Sequence, residues 1–301
     1  MAQDEVRGPQ GRRSGRRRSR SDERSGRNVP IAIAVGLGLG GLILGSLYTI
    51  KHIFVGLVVV AIGVAIWELS SALRGRGDDA EEDGREVRLP IVPVMVGAVA
   101  MIVGAYLRGP EALIVALALT ALAVIVWRLP EGADGYVRDV SAGVFVAVYA
   151  PFLASFAVLL LAPGDGRERV VTFFVLVVCS DTGGYFVGVL LGRHSMAPTV
   201  SPKKTWEGFV GSVLACMAAG AGLVWWLFGG ELWQGLVMGG AVAFSATLGD
   251  LGESMLKRDL GVKDMGSLIP EHGGMMDRLD SLLATAPVVW FLLTLFVPPT
   301  P

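Results

Sequence analysis

Apolar stretches of about 20 residues recur along the whole chain, with short polar segments between them. As an α-helix, a stretch of that length crosses the roughly 30 Å hydrocarbon core of a bilayer. The pattern predicts membrane spans at residues 29–49, 53–73, 89–107, 110–127, 140–162, 170–192, 207–229, 232–256 and 281–297. We therefore expect an all-α fold, a polytopic membrane bundle of about nine transmembrane helices.

The composition supports this class of protein and excludes some chemistries. Hydrophobic residues make up 52% of the 301 residues and charged residues only 18%, whereas soluble domains carry about 25% charged residues. The two cysteines, Cys179 and Cys216, both fall within predicted spans, so we expect no disulfide, no cysteine metal site and no redox role. The net charge of -1 says little, because the charges are segregated along the chain.

We divide the chain into a disordered basic tail at 1–28, N-terminal membrane helices at 29–162 and C-terminal membrane helices at 163–301 that carry the motif-rich loops. The tail holds nine Arg and lacks the apolar core of a signal peptide. A nucleic-acid-binding arm is one alternative. Its place before a first span instead favours a cytoplasmic topology signal in contact with anionic membrane lipid, so we expect no nucleic acid partner.

Two further features lie in the N-terminal part. The polar segment 75–86 is strongly acidic but lacks the ligand spacing of a calcium loop, so we interpret it as a solvated linker. The first span contains two glycine pairs at a spacing of four residues, a pattern that allows close helix packing. Such packing can occur within one chain or between two chains, which leaves a homodimer open.

The distribution of Lys and Arg predicts the orientation in the membrane. With the basic tail inside, the inner connections hold 22 of the 26 Lys and Arg, and the outer ones hold Lys51, Arg108, Arg167 and Arg169. Lys and Arg concentrate on the cytoplasmic side of membrane proteins. We expect a multi-pass protein of the cell membrane with its N-terminus in the cytoplasm, its C-terminus outside, and the connections 193–206 and 257–280 in the cytoplasm.

Asp181 is the first candidate site residue. It lies roughly 16 Å deep in the span 170–192, at 1.5 Å per residue, where the polar run 180–184 is expected to interrupt the helix. A carboxylate at that depth costs about 3 kcal/mol on insertion scales and is a functional candidate. A hydrogen bond or ion pair between helices is the alternative. The glycine pair at 183–184 would let a backbone or a ligand approach closely.

One face of the eighth predicted span carries a polar stripe formed by Asp250, Glu253, Ser254 and Lys257. Such a stripe lines a water-filled cavity, because it cannot face lipid. Asp277 and Asp280 repeat the spacing where the ninth span begins. Carboxylates from two helices suit Mg²⁺, which binds one or two of them together with waters and substrate phosphates. We predict Asp250 and Asp277 as metal ligands, with a monovalent cation such as K⁺ as a further candidate. A proton relay is the alternative use of such carboxylates.

Basic residues cluster in two connections on the same predicted side of the membrane. Lys203 and Lys204 precede the seventh span, whose free N–H groups and helix dipole attract anions. Taken alone, they would be ordinary positive-inside residues. The second connection adds Lys257, Arg258, Lys263 and Arg278. Together the two groups indicate a triphosphate site, although the chain contains neither GxxxxGK[ST] nor GxGxxG.

Three uncharged or weakly basic residues complete the predicted phosphate site. Ser201 and Thr205 flank the two lysines and offer hydroxyl groups. His272 precedes a glycine pair in the second connection. We interpret it as a hydrogen-bonding partner of phosphate and not as a general base, because an attacking phosphate anion needs no base.

One long motif runs from Ser254-x-Leu256-Lys257-Arg258 through Lys263-Asp264-x-Gly266 to Ile269-Pro270-x-His272-Gly273-Gly274-Met275-x-Asp277-Arg278-Leu279-Asp280. Upstream of it stand Asp181-Thr182-Gly183-Gly184-Tyr185, the run at 201–208 and Gly249-Asp250. In order and spacing, this set resembles the signature of the phosphatidate cytidylyltransferases, or CDP-diacylglycerol synthases. The resemblance covers about residues 175–285, and neither the basic tail nor the segment 75–86 belongs to it.

The resemblance implies a nucleotidyltransferase of phospholipid biosynthesis that joins phosphatidate to CTP, giving CDP-diacylglycerol and pyrophosphate with Mg²⁺. It implies catalytic roles for Asp181, Asp250, Lys257 and Asp277. A cytidylyltransferase or CTP-dependent kinase acting on an isoprenoid lipid is a related alternative. A transporter with a carboxylate relay would leave the basic loops without a role, and an inactive scaffold disagrees with a fully occupied signature.

The predicted orientation can be tested by cysteine labelling. A cysteine introduced by Ser201→Cys or Ser267→Cys should react with a membrane-impermeant thiol reagent only in inside-out vesicles, and Thr300→Cys only in spheroplasts. Bound CTP should protect the Ser201 position, because the adjacent lysines are expected to hold its phosphates. Labelling of Ser201→Cys from outside would contradict the predicted number of spans.

Overall fold

The computed structural model describes residues 29–74, 87–266 and 273–298. The predicted basic tail, the predicted linker at 75–86 and His272 lie outside these residues.

Nine helices account for most of the described chain. They are α1 (Val29–Thr49), α2 (Lys51–Leu73), α3 (Ile91–Arg108), α4 (Pro110–Arg128), α5 (Tyr136–Leu161), α6 (Gly166–Leu191), α7 (Trp206–Phe228), α8 (Leu232–Asp259) and α9 (Met276–Phe296). Within the described part, α2 to α9 are each long and apolar enough to cross a membrane. The predicted all-α polytopic bundle is therefore confirmed, and α1 coincides with the first predicted span.

Several helices extend beyond the apolar stretches that predicted them. α9 begins at Met276 and α8 ends at Asp259, so the charged residues of the signature form the ends of helices. α5 and α6 each begin four residues earlier than predicted. Hydropathy marks where a helix enters the apolar part of the bilayer, whereas backbone hydrogen bonding continues into the polar turns.

Two features differ from the sequence-based expectation. The polar run at 180–184 does not interrupt its span, because α6 is a continuous helix through these residues. The connection between α6 and α7 contains a short antiparallel hairpin, with β1 (Ser195–Ala197) paired to β2 (Ser201–Thr205). Pro202 lies in β2, and its fixed backbone angle and missing N–H favour an extended chain before α7 begins.

Glycines bring α6, α7 and α8 into close backbone contact. A Cβ on Gly183 of α6 would lie 2.8 Å from the carbonyl oxygen of Gly211 on α7. On the other side of α7, a Cβ on Gly239 of α8 would collide with the carbonyl group of Cys216. Small residues allow this approach in membrane helices, where dispersion contacts between backbones stabilise the pair. The polar run at 180–184 therefore serves helix packing without breaking the helix.

Contacts between connections show that the helices run back and forth between two ends of the bundle. At one end, Lys51 Nζ donates hydrogen bonds to the carbonyl oxygens of Leu161 and Pro163 at 3.2 and 2.6 Å. Arg169 Nη2 at the start of α6 donates to the carbonyl oxygen of Val297 after α9 at 2.8 Å. The turn between α1 and α2, the turn between α5 and α6 and the end of α9 therefore lie together.

Other described connections lie at the opposite end. There the backbone N–H of Arg88, before α3, donates to Asp139 Oδ1 in α5 at 3.1 Å. The backbone N–H of Met276, at the start of α9, donates to Glu68 Oε2 near the end of α2 at 2.9 Å. This grouping agrees with the alternation of spans, and the hairpin and the start of α9 share this end.

The close contact between α7 and α8 generates a prediction from two adjacent glycines. Gly239→Ala should lower the melting temperature by several degrees, because overpacking of a rigid backbone costs about 1–3 kcal/mol. Gly240→Ala is the matched control, since its Cβ would meet only Met217 Cγ at 4.0 Å. Thermal unfolding of both purified variants in the same detergent measures the difference. Equal melting temperatures would contradict the packing argument.

Candidate active site

A cavity of about 220 Å³ lies between α6, α7, α8 and the hairpin. Five of the predicted site residues line it, namely Asp181, Lys203, Lys204, Thr205 and Asp250. They come from three separate elements, α6, β2 and α8, and the glycine contacts between α6, α7 and α8 bring these elements together. The structure thus assembles the upstream motifs of the sequence around one space.

An ion pair connects the hairpin to α8 in this cavity. Lys204 Nζ of β2 hydrogen-bonds Asp250 Oδ2. The two side chains remain 26% and 30% exposed, so an anion or a cation can reach either partner. Asp181 lies close enough to interact electrostatically with both groups. The alternative role of Asp181, as one partner of a hydrogen bond or ion pair between helices, stays a prediction.

Thr205 and Ser201 have different positions in β2. Thr205 is the N-cap residue of α7, and its Oγ1 accepts a hydrogen bond from the backbone N–H of Gly208 at 3.1 Å. This cap fixes where α7 begins, beside the two lysines. Ser201 starts β2 and does not line the cavity within the described part of the chain.

A second charged cluster adjoins the cavity where α8 meets α9. Lys257 Nζ donates to Glu253 Oε2 at 2.6 Å and to Asp277 Oδ1 at 3.0 Å. Asp277 Oδ2 also accepts the backbone N–H groups of Met265 at 3.1 Å and Gly274 at 2.8 Å. We refer to the segment between α8 and α9, residues 260–275, as the signature loop. Asp277 therefore connects both described edges of this loop to α8 and α9.

Asp280 stands between the two groups of charges. Its carboxyl group is a hydrogen-bonding neighbour of Asp250, and Glu253 is also within electrostatic range. Facing carboxylates repel unless a proton or a cation lies between them. Glu253 Oε1 is moreover buried without a hydrogen-bond partner among the described residues. The sequence showed Asp280 one turn from Asp277, but only the structure places it beside Asp250.

The carboxylates fit a hard cation that shares its coordination with a substrate. Oxygen atoms of Asp250 and Asp280 converge, and a buried oxygen of Glu253 is left without a partner. In the described ranges, however, no three Asp, Glu, His or Cys side chains are close enough to hold a metal alone. Such a donor set suits Mg²⁺, which keeps several waters and binds substrate phosphates.

The other predicted cations do not line this cavity in the described part of the chain. Arg258 at the end of α8 and Lys263 in the following loop are exposed to solvent and lie outside the cavity lining. Arg278 in the first turn of α9 is exposed but interacts electrostatically with Asp181. His272 lies outside the described residues, so its predicted role is untested.

Glu68 is a site residue that the sequence analysis missed. It belongs to α2, in the N-terminal half of the chain, and it is only 1% exposed. Its Oε2 accepts the backbone N–H of Met276, and its carboxylate packs directly on Gly266 and Gly274. A side chain at either glycine would collide with it. A single carboxylate within a predicted span was the available signal, because such residues are expensive unless partnered.

Comparison with known proteins supports the sequence resemblance. The sequence model of the Cytidylyltransferase family matches residues 30–296. A protein of Mycobacterium leprae named phosphatidate cytidylyltransferase is 40% identical, over 94% of this chain and 93% of that protein. The protein of that name from Mycobacterium tuberculosis strain H37Rv is 39% identical, over 90% of this chain and 84% of its own length. One from Synechocystis is 42% identical, over 42% of this chain and 43% of its own.

The position of Glu68 predicts how the signature loop is held. Glu68→Ala should speed tryptic cleavage at the exposed Arg258 and Lys263 about tenfold, because a hydrogen bond to a charged group contributes about 1.5–3 kcal/mol. Glu68→Gln keeps one acceptor oxygen and should give an intermediate rate. Mass spectrometry of the timed digests measures cleavage at each site.

The matched control for this experiment is Glu111→Ala, at an exposed carboxylate in the first turn of α4. It should leave cleavage at both sites unchanged. If Glu68→Ala digests at the wild-type rate, Glu68 does not hold the loop.

Proposed function

Because this chain belongs to the cytidylyltransferase family, we propose that it transfers CMP from CTP to phosphatidate and produces CDP-diacylglycerol for phospholipid synthesis. The relatives described above carry the name phosphatidate cytidylyltransferase, and the chain covers nearly all of the Mycobacterium leprae protein. The observation that carries the proposal is the cavity in which Lys204 and Asp250 form an accessible ion pair beside further carboxylates. A nucleotide with Mg²⁺ requires both signs of charge in one place.

Lys203 and Lys204 are the proposed primary contacts for the CTP phosphates. Both line the cavity, at the N-terminal end of α7. A phosphate arriving there can replace Asp250 as the partner of Lys204, so the lysine is not left unpaired in either state. We further propose that Ser201, Thr205, Arg258, Lys263 and His272 contact phosphate oxygens.

We propose Asp250 and Asp277 as the carboxylates that hold Mg²⁺, with Asp280 as a neighbour that adds negative charge. When bound, Mg²⁺ would stabilise the charge that develops on the α-phosphate and on the leaving pyrophosphate. Lys257 touches Asp277 and Glu253, and in this proposal it orients Asp277. A monovalent cation such as K⁺ is a second proposed occupant of the acidic cluster.

The proposed reaction is an in-line displacement at phosphorus. A phosphate oxygen of phosphatidate forms a bond to the α-phosphorus of CTP, and the bond from that phosphorus to the bridging oxygen of the β-phosphate breaks. The bridging oxygen leaves with pyrophosphate and its electron pair. The attacking group is already an anion, so no side chain has to remove a proton. Catalysis then depends on alignment and charge neutralisation by the surrounding cations.

Asp181 and Arg278 have separate proposed roles in this alignment. Asp181 lines the cavity on the α6 side, where it interacts with Lys204 and Asp250. We propose that it keeps Lys204 oriented when that lysine leaves Asp250 for phosphate. Arg278 is proposed to bind the phosphate of the lipid, because it is the cation that extends from this site toward the apolar part of the bundle.

The proposed location is the cell membrane, with the N-terminus in the cytoplasm. The end of the bundle that contains the hairpin and the start of α9, which we call the active-site end, would also face the cytoplasm. CTP would then enter from the cytoplasm, and phosphatidate would arrive laterally from the bilayer. We also propose a homodimer, because the glycines of α1 would allow close helix packing between two chains.

The activity is tested with full-length protein purified in detergent. With CTP, Mg²⁺ and phosphatidate it should release pyrophosphate and form CDP-diacylglycerol, and a prenyl phosphate or a prenyl alcohol should be a poor acceptor. Folded protein that forms no CDP-diacylglycerol would contradict the proposal. Preference for a prenyl acceptor would instead assign the chain to isoprenoid lipids.

The metal-ligand assignment generates a prediction for three aspartates. Asp250→Asn and Asp277→Asn should each lower kcat by about 10²–10³-fold, because each removes charge from the proposed Mg²⁺ site. Asp259→Asn is the matched control, since Asp259 is exposed at the end of α8. Steady-state assays at saturating CTP measure kcat, and melting temperatures confirm folding. A wild-type rate in either of the first two variants would refute that ligand.

A further inference from the structure

A second cavity, of about 390 Å³, lies between α1, α2, α5, α6 and α9. Its lining is almost entirely apolar and includes Phe54, Ala157, Phe173, Leu279 and Ala286. Arg278 is the single charged residue that lines it in the described part of the chain. We refer to this space as the apolar groove.

The apolar groove begins at the active-site end and descends into the bundle. Along α9 its lining runs from Arg278 to Ala286, roughly 12 Å at 1.5 Å per residue. Its far wall includes Phe54 and Phe173, which lie near the beginnings of α2 and α6. Those helices begin at the opposite end of the bundle, so the groove passes the middle of the membrane-spanning part.

The first turn of α9 joins the apolar groove to the charged site. Asp277 and Asp280 face the cluster of carboxylates around α8. Arg278 and Leu279, between them in sequence, line the groove. Arg278 also interacts electrostatically with Asp181 across the active-site end. The first turn of α9 therefore places the guanidinium group of Arg278 where the apolar groove meets the charged site.

We propose that the apolar groove binds one acyl chain of the lipid substrate, with the lipid phosphate held by Arg278. This inference rests on the proposed function and adds where the lipid lies. An apolar channel that ends in a guanidinium complements an anionic lipid, since burial of methylenes and an ion pair act at the two ends of one ligand.

Chain-length selectivity tests the proposal. Ala61→Phe places a ring in the groove lining, at a half-buried position of α2. It should lower the ratio of kcat/KM for dioleoyl phosphatidate to that for dioctanoyl phosphatidate about tenfold, the effect of excluding about two methylenes from an apolar site. Ala100→Phe, at an exposed position of α3, is the matched control and should leave the ratio unchanged.

A labelling experiment tests the same proposal without a variant. A phosphatidate analogue with a diazirine near the middle of one acyl chain should label α2 and α9 of the wild-type protein, and unlabelled phosphatidate should compete. Labelling spread evenly over exposed lipid-facing positions of α3 and α4, without competition, would overturn the groove as the binding site. An unchanged chain-length ratio in an active Ala61→Phe variant would overturn it too. If wild-type protein turned over neither lipid, the proposed function would fail instead, and the labelling result would still decide whether the groove binds phosphatidate.

Discussion

The active-site end depends on one ammonium group held between two carboxylates inside the bundle. Lys257 bridges Glu253 on its own helix and Asp277 on α9. In a low-dielectric interior neither charge sign is tolerated alone, so each partner requires the others. Because Asp277 also accepts backbone N–H groups from both described edges of the signature loop, this ion triad connects the chemistry of the loop to the packing of α8 against α9.

Close backbone packing supplies the second constraint. Glycines on α6, α7 and α8 remove the side chains that would otherwise separate these helices. Asp181 and Asp250, which are far apart in sequence, consequently line the same cavity as Lys204 from the hairpin. A membrane bundle cannot use the hydrophobic effect to bring these helices together, so their contact rests on dispersion and a few interhelical hydrogen bonds such as that from Ser212 Oγ to the carbonyl oxygen of Ser180.

The N-terminal half contributes directly to the site, although the signature lies entirely in the C-terminal half. Glu68 of α2 binds the start of α9 and packs on two glycines of the signature loop. The same helix forms one wall of the apolar groove. In the proposed function, α2 would thus help to align a lipid from the bilayer with a nucleotide from the aqueous side.

The sequence by itself determined the helical membrane fold, because crossing hydrocarbon demands apolar stretches of a definite length and no other backbone arrangement satisfies its hydrogen bonds there. It also singled out the charged residues of α8 and α9, since charges inside spans are costly. The tertiary structure alone decided that α6 stays helical through 180–184 and that Lys204 lies in a strand. It also decided that Asp280 neighbours Asp250 and that Glu68 accepts a hydrogen bond from the start of α9. Each of these depends on which distant segment lies opposite, and local hydropathy contains no information about that pairing.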